Sequence, residues 1–272
     1  MGGMFSTRVI ALMPVAIAIN IVLGYTVQTV LKLPIYLDSI GTILVGVLAG
    51  PIPGALTGIL SNLIWQYAPG IGGGTIGPFA ITAGVIGLLA GLWGYLGIYR
   101  PRPATGRQLG LWAIGAAAIV FVIAIPIFNN PAYTDPNIGG YPSWVYTAAA
   151  VIAVVAAIVV AAFIYVRRDL AGFWVALAGV VTGIVAAFVS APISAIAFGG
   201  VTGSGTDLLV AALRQGGADV LQASLGQGLF SDPIDKTITS FVVFIIISSL
   251  STRVLARFPN GERITSGRGA VI

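Results

Sequence analysis

Long apolar runs without a charged residue recur along most of the chain, and they limit its fold more than any other feature. About 20 such residues span a bilayer as an α-helix. A membrane β-barrel would alternate polar and apolar residues, and these runs do not. Only 8% of the 272 residues are charged, whereas a soluble domain has about 25%. The sequence therefore predicts an all-α membrane protein, a polytopic helical bundle.

Eight spans are predicted from these runs. The second and third are short and meet at the turn Pro51-Ile52-Pro53, which indicates helices that cross only with protein around them. The predicted spans are residues 9–31, 35–49, 54–67, 79–99, 109–128, 144–166, 170–198 and 238–255.

The arginines predict the orientation. With an even number of spans, the arginines that flank them all fall on one face, and the positive-inside rule makes that face cytoplasmic. They are Arg8, Arg100, Arg102, Arg107, Arg167, Arg168, Arg253, Arg257, Arg263 and Arg268. Both termini are then expected in the cytoplasm. The net charge of +5 reflects these flanks, so we expect no nucleic-acid partner.

The chain is predicted to form one membrane domain over residues 1–258, followed by a polar cytoplasmic tail, residues 259–272, that we expect to be frayed. Residues 199–231 are predicted to form an extracellular loop or lid that contains one short interfacial helix near Leu208 and Leu213.

The residue types exclude several kinds of chemistry. The chain has no His and no Cys, and His is the commonest metal ligand and general base. Neither glycine-rich stretch, residues 70–74 or 199–205, is followed by the Lys-Ser/Thr pair of a phosphate-binding loop. We therefore predict no enzyme activity, no metal site and no cofactor.

A cluster of polar side chains within the second and third spans is a candidate binding site, because polar groups inside a membrane are costly. Asn62 and Gln66 are four residues apart and share a helical face, with Trp65 beside them. The predicted topology puts them at the depth of Tyr36 and Asp38. A carboxylate, two amides and an indole can bind a polar ring; hydrogen bonding between helices is the alternative.

A second candidate group precedes the last span. Asp232 at an N-cap, Pro233 at the first helical position and Asp235 two residues later are typical of a helix start. That structural role and ligand contact are both open for the two acids. Gln222 and Gln227, in the loop before them, are candidates for a lid or for ordinary loop contacts.

Three stretches resemble the substrate-binding S components of energy-coupling factor (ECF) transporters. They are residues 33–42 (LPIYLDSIGT), residues 50–62 (GPIPGALTGILSN) and residues 231–237 (SDPIDKT). The resemblance implies a six-helix bundle in a prokaryotic cell membrane, with an outward-facing pocket for a vitamin, a pyrimidine or a nucleoside-like nutrient. It also implies, as partners, a membrane T component and two ATP-binding subunits.

Two features depart from that family. Residues 109–166 add two helices to its six, and we interpret them as an insertion. The family often docks through an Ala-x-x-x-Ala pair on its first helix, which Ala11, Ala16 and Ala18 do not match. Two other functions remain open: a membrane sensor or receptor, and a stand-alone secondary transporter. The lack of a signalling domain after the last span argues against the first, and the few ions expected within the spans argue against the second.

Overall fold

The structure is a computed structural model, and it describes residues 3–31, 35–71, 75–103 and 168–266, with isolated residues between 110 and 166. Every regular element in this part of the chain is helical, which confirms the all-α prediction. The predicted fifth and sixth spans, and with them the proposed insertion of residues 109–166, lie outside these continuous ranges.

The helices are numbered here in chain order. The first, α1, continues from Gly24 into a π-helix over Tyr25–Val30, and one 3-10 turn over Gly77–Phe79 precedes α4. Their bounds are α1 Thr7–Gly24, α2 Ile40–Ala49, α3 Pro51–Tyr67, α4 Ala80–Tyr95, α5 Ala171–Phe198, α6 Asp207–Gln215, α7 Val220–Ser249, α8 Thr252–Leu255 and α9 Gly261–Thr265.

Three helical segments in the described part are long and apolar enough to cross a membrane: Thr7–Val30, Gly77–Tyr95 and Ala171–Phe198. Their mean hydropathies are 2.1, 1.5 and 2.2, and they fit a membrane-embedded protein. Helix α2 is equally apolar but has only 10 residues, all of them buried. At 1.5 Å per residue it is about 15 Å long, half the thickness of a hydrocarbon core.

Small residues bring the two longest helices into close contact. A Cβ atom added to Gly183 of α5 would lie 2.4 Å from the Cα of Pro233 in α7, and one added to Gly179 would lie 2.6 Å from the Cα of Thr237. The four-residue spacing of these glycines predicts such an approach. In this protein it serves packing within the chain.

The last long helix begins at Val220, so the helix start predicted at Asp232 is wrong. Asp219 is its N-cap: the Gln222 N–H donates to Asp219 Oδ1 at 2.8 Å, and the Asp219 N–H donates to Gln222 Oε1 at 3.2 Å. This capping box satisfies two free N–H groups. Pro233 lies inside the helix. The loop predicted over residues 199–231 is largely helical, since it contains α6 and the first turns of α7.

Gly261–Thr265 form the helix α9, which corrects the predicted fraying of residues 259–272 for that part; residues 267–272 lie outside the described residues. Asn260 caps the end of α2: its Nδ2 donates to the Val47 carbonyl at 2.9 Å, and its backbone N–H donates to the Leu48 carbonyl at 3.0 Å. These carbonyls have no partner inside a helix end. Ile264 is fully buried. The polar composition of the tail did not reveal this docking.

Most of the described arginines gather at one end of the bundle, whereas Arg214 of α6 lies at the other. Arg263 stacks on Tyr95 at the end of α4, with 3.9 Å between the guanidinium carbon and the ring centroid. The Arg102 guanidinium lies over the Trp174 ring near the start of α5. The backbone N–H of Arg102 donates to Asp169 Oδ1 at 2.7 Å. The opposite end, where α2 and α4 begin, holds most of the described aspartates and the candidate site.

Candidate functional site

A cavity opens among α3, α4, α5 and α7 at the end of the bundle away from the arginines. Its volume is about 90 Å³, room for about three water molecules at the roughly 30 Å³ that each occupies in the liquid. It therefore fits a small molecule. Its polar lining residues are Gln28, Tyr36, Asp38, Ser39, Asn62, Thr75, Thr82, Ser190, Ser194, Thr202, Ser204, Asp207, Ser224, Gln227, Asp232 and Lys236.

A buried lysine lies at the centre of the polar contacts beside the cavity. Lys236 Nζ lies 2.6 Å from Asp235 Oδ2 and 3.3 Å from Asp38 Oδ1, and it donates to Ser39 Oγ at 2.8 Å. Lys236 is 3% exposed and Asp235 is fully buried. A buried charge is tolerated only with paired and hydrogen-bonded partners, and this ammonium uses its three donors in that way.

Asp235 fixes the non-helical segment that precedes α2. Its Oδ1 accepts hydrogen bonds from the Tyr36 N–H at 3.0 Å and the Leu37 N–H at 2.7 Å. Leu37 has a φ of 51°, a left-handed conformation that is strained for a branched side chain. Asp235 does not line the cavity. The structure places this predicted site residue behind the wall, where it orients Tyr36 and Lys236.

Tyr36 joins three elements at the edge of the cavity. Gln227 Nε2 of α7 donates to the Tyr36 hydroxyl at 2.8 Å, and that hydroxyl is 3.2 Å from Thr206 Oγ1, just before α6. Lys236 Nζ lies 5.8 Å from the centroid of the ring, within cation–π range. Both Tyr36 and Gln227 are predicted site residues, and both line the cavity.

The predicted cluster on α3 is divided. Asn62 lines the cavity and is 5% exposed. Trp65 Nε1 instead donates to the Ile71 carbonyl at 3.1 Å, and its ring packs against α1 at Gly24. Gln66 Oε1 accepts from the Gly77 N–H at 2.8 Å. Trp65 and Gln66 thus hold the loop between α3 and α4.

The two acids at the cavity wall have different surroundings. Asp38 Oδ2 accepts from Gln28 Nε2 at 3.2 Å, and its Oδ1 pairs with Lys236. Asp232, 5% exposed, accepts one long hydrogen bond, from Ser190 Oγ at 3.4 Å. Asp232 is therefore the carboxylate with the least compensation. Gln222, the remaining predicted site residue, lies in the capping box of α7 and does not line the cavity.

Sequence reasoning missed several lining residues, above all Lys236. A signal for it exists: Lys236 follows Asp232 by four residues, so the two share a helical face. Because residues 232–236 were interpreted as a helix start, the spacing of Asp232 and Lys236 was not taken as a sign of a shared site. The other missed residues are Gln28, Ser39, Thr75, Thr82, Ser190, Ser194, Thr202, Ser204, Asp207 and Ser224. Isolated Ser and Thr residues in apolar helices give little warning of such a role.

Two loops meet over the cavity. Thr75 Oγ1 donates to the Thr202 carbonyl at 2.7 Å. Asp207 accepts from the Thr202 N–H at 2.9 Å and from the Gly203 N–H at 2.6 Å, and these bonds fix the turn before α6.

Comparison with models of protein families, with curated proteins and with solved structures gave no match. The function must therefore be argued from the residues of this chain.

Proposed function

We propose that this chain is the substrate-capture subunit of an ECF-type importer in a prokaryotic cell membrane, and that it binds a small nutrient from the extracellular side. The observation that supports this proposal is the small polar cavity at the end of the bundle away from the arginines. If the arginine-rich end faces the cytoplasm, as the positive-inside rule predicts, the cavity faces outward.

The directions of the helices support the same topology. In the described ranges, α1, α2, α3, α4, α5 and α7 run alternately between the arginine end and the cavity end. These six correspond in number to the helices of the S-component core. Residues 109–166 would add two further spans, for eight in total with both termini in the cytoplasm.

The short helix α2 suits a binding subunit. Residues 35–39 continue it toward the cavity end without helical hydrogen bonds, and Asp235 accepts two of the free N–H groups. Non-helical backbone at membrane depth is tolerated where protein covers it or where it lines a cavity. Here it supplies Tyr36, Asp38 and Ser39 to the lining.

The substrate class that we propose, a vitamin, a pyrimidine or a nucleoside-like molecule, comes from the resemblance to S components. The lining of the cavity supports a polar substrate, because it offers amides, hydroxyls and carboxylates as hydrogen-bond partners. The sequence has no phosphate-binding loop. Energy for uptake would come from two ATP-binding subunits through a membrane T component.

Mass spectrometry of the purified chain tests substrate capture. We expect a small molecule to co-purify with the wild-type protein and to be lost from Asn62→Ala. Leu63→Ala is the matched control, because Leu63 is the next residue of α3, is 39% exposed and does not line the cavity. Equal retention by both variants would place the ligand elsewhere.

Reconstitution in liposomes tests the need for partners. We expect ATP-dependent uptake of the co-purified molecule only when the T component and the ATP-binding subunits are present. Concentrative uptake by liposomes that contain this chain alone would refute the proposed role.

One observation favours a second candidate, an ion-coupled carrier that acts alone. Asp232, Asp235 and Lys236 are buried within α7, and ionisable groups inside a membrane commonly belong to ion or proton pathways. This candidate predicts uptake driven by a proton or sodium gradient in the same liposomes, without ATP.

A further inference from the structure

The charges that line the cavity do not balance. Asp38, Asp207 and Asp232 contribute three carboxylates, and Lys236 contributes the single positive charge of the described lining. With every carboxylate ionised, the lining is therefore net negative by two charges. Such an excess in a largely buried site is relieved by protonation of a carboxylate or by a positively charged ligand.

Two of these carboxylates are compensated by the protein. Asp207 accepts hydrogen bonds from the Thr202 and Gly203 backbone N–H groups and lies in the first turn of α6, where the helix dipole favours a negative charge. Asp38 is paired with Lys236 and Gln28.

Asp232 is not compensated in this way. It is 5% exposed and receives only the 3.4 Å bond from Ser190. Lys236, one helical turn away, donates no hydrogen bond to Asp232, because the three donors of its ammonium are directed to Asp235, Ser39 and Asp38. Asp232 therefore presents an acceptor to the cavity that no described group fills.

Neighbouring groups give an independent indication of a ligand. The hydroxyls of Thr82 and Ser224 are buried without a hydrogen-bond partner in the described part of the chain, and both residues line the cavity. They are 7% and 1% exposed. Buried polar groups are seldom left unpaired, and these two, from α4 and α7, converge on one space that Asn62 of α3 also lines.

We infer that the substrate carries a cationic nitrogen group, a protonated amine or amidinium, that pairs with Asp232. Its other polar atoms bond to Asn62, Thr82 and Ser224. The inference rests on the proposed function, because a capture subunit holds its substrate in this cavity. The inference restricts the proposed substrate class from small polar molecules in general to positively charged ones.

Three probes of nearly equal shape test the sign of the charge: benzamidinium, benzamide and benzoate. Calorimetric titration of the purified chain measures the Kd of each. A hydrogen bond to a charged partner makes us expect benzamidinium to bind about ten- to a hundredfold more tightly than benzamide. We expect benzoate to bind most weakly, since it would meet an uncompensated carboxylate.

Two isosteric variants test the assignment to Asp232. Asp232→Asn should bring the benzamide-to-benzamidinium Kd ratio close to one. Asp219→Asn makes the same change of charge on the same helix, at an exposed N-cap where asparagine is equally suitable, and should retain the wild-type ratio.

The inference is overturned if benzamide binds as well as benzamidinium, if benzoate binds best, if no probe binds at millimolar concentration, or if Asp232→Asn keeps the wild-type ratio. If Asp232→Asn does not fold, the wild-type ratio alone decides. Different results would refute the proposed importer role. A chain that prefers benzamidinium yet drives uptake by itself refutes the role and keeps the inference, whereas ATP-dependent uptake without charge preference does the reverse.

Discussion

Replacing Asp235 by alanine removes the group that supports the cavity wall from behind. Asp235 is fully buried, lies 2.6 Å from Lys236 Nζ, and accepts the N–H groups of Tyr36 and Leu37. The variant leaves Lys236 with a single carboxylate, Asp38, and leaves two backbone donors unpaired. Breaking a buried ion pair from one side costs about 3–5 kcal/mol. We expect Asp235→Ala to lower the free energy of unfolding by that amount.

The measurement is equilibrium unfolding of the ligand-free protein in mixed micelles, followed by tryptophan fluorescence. Asp219→Asn is the control, because its exposed cap keeps an equivalent acceptor and should change the free energy of unfolding by less than about 0.5 kcal/mol. A loss below about 1 kcal/mol for Asp235→Ala would refute the view that this carboxylate supports the segment before α2.

A double variant separates the ion pair from the backbone contacts. Asp235→Ala combined with Lys236→Met removes both charges, and buried ion pairs replaced by apolar groups are often neutral in stability. We expect the double variant to be more stable than Asp235→Ala alone. The loss that remains measures the unpaired Tyr36 and Leu37 N–H groups together with Asp38, which loses its ion pair with Lys236. If the two substitutions add independently, the coupling between these neighbours is absent and the interpretation is wrong.

Three further predictions concern binding, packing and topology. Asn62→Ala should weaken binding of the co-purified ligand about five- to a hundredfold without lowering ligand-free stability; an equal loss of binding in Leu63→Ala would contradict this. Gly183→Ala should cost about 1–3 kcal/mol of unfolding free energy, because its Cβ would meet the α7 backbone, whereas Gly3→Ala has open space. Since the chain lacks cysteine, Tyr67→Cys should be labelled on intact cells by an impermeant maleimide and Arg253→Cys only after permeabilisation; the reverse pattern would invert the topology.

The helices were predictable where one signal dominates. Apolar runs located α1, α4 and α5, and the turn at Pro51 separated α2 from α3. The start of α7 was not predictable, because Asp232-Pro233 fits a helix N-terminus as well as Asp219 does. Local sequence does not distinguish two acceptable caps. In the structure the helix continues through Pro233, which packs closely against Gly183 of α5.

The sequence predicted how far along the helices the site lies, but not which side chains face the cavity. Asn62 and Gln66 are one turn apart, and only Asn62 lines the cavity, since Gln66 contacts the loop at Gly77. The partner of Lys236 across the bundle depends on how α7 meets the segment before α2, almost 200 residues away in sequence. Spacing within one helix carries no information about such contacts.

The full use of the Lys236 ammonium by three acceptors has an evolutionary consequence. Arginine has a planar fork of five donors and cannot replace this ammonium within the same space. Substitution of Lys236, Asp235 or Asp38 alone would leave a buried charge without its partner. Natural selection would therefore have to replace the three residues together. In related sequences we expect these three positions to co-vary, whereas the apolar residues around them should vary independently.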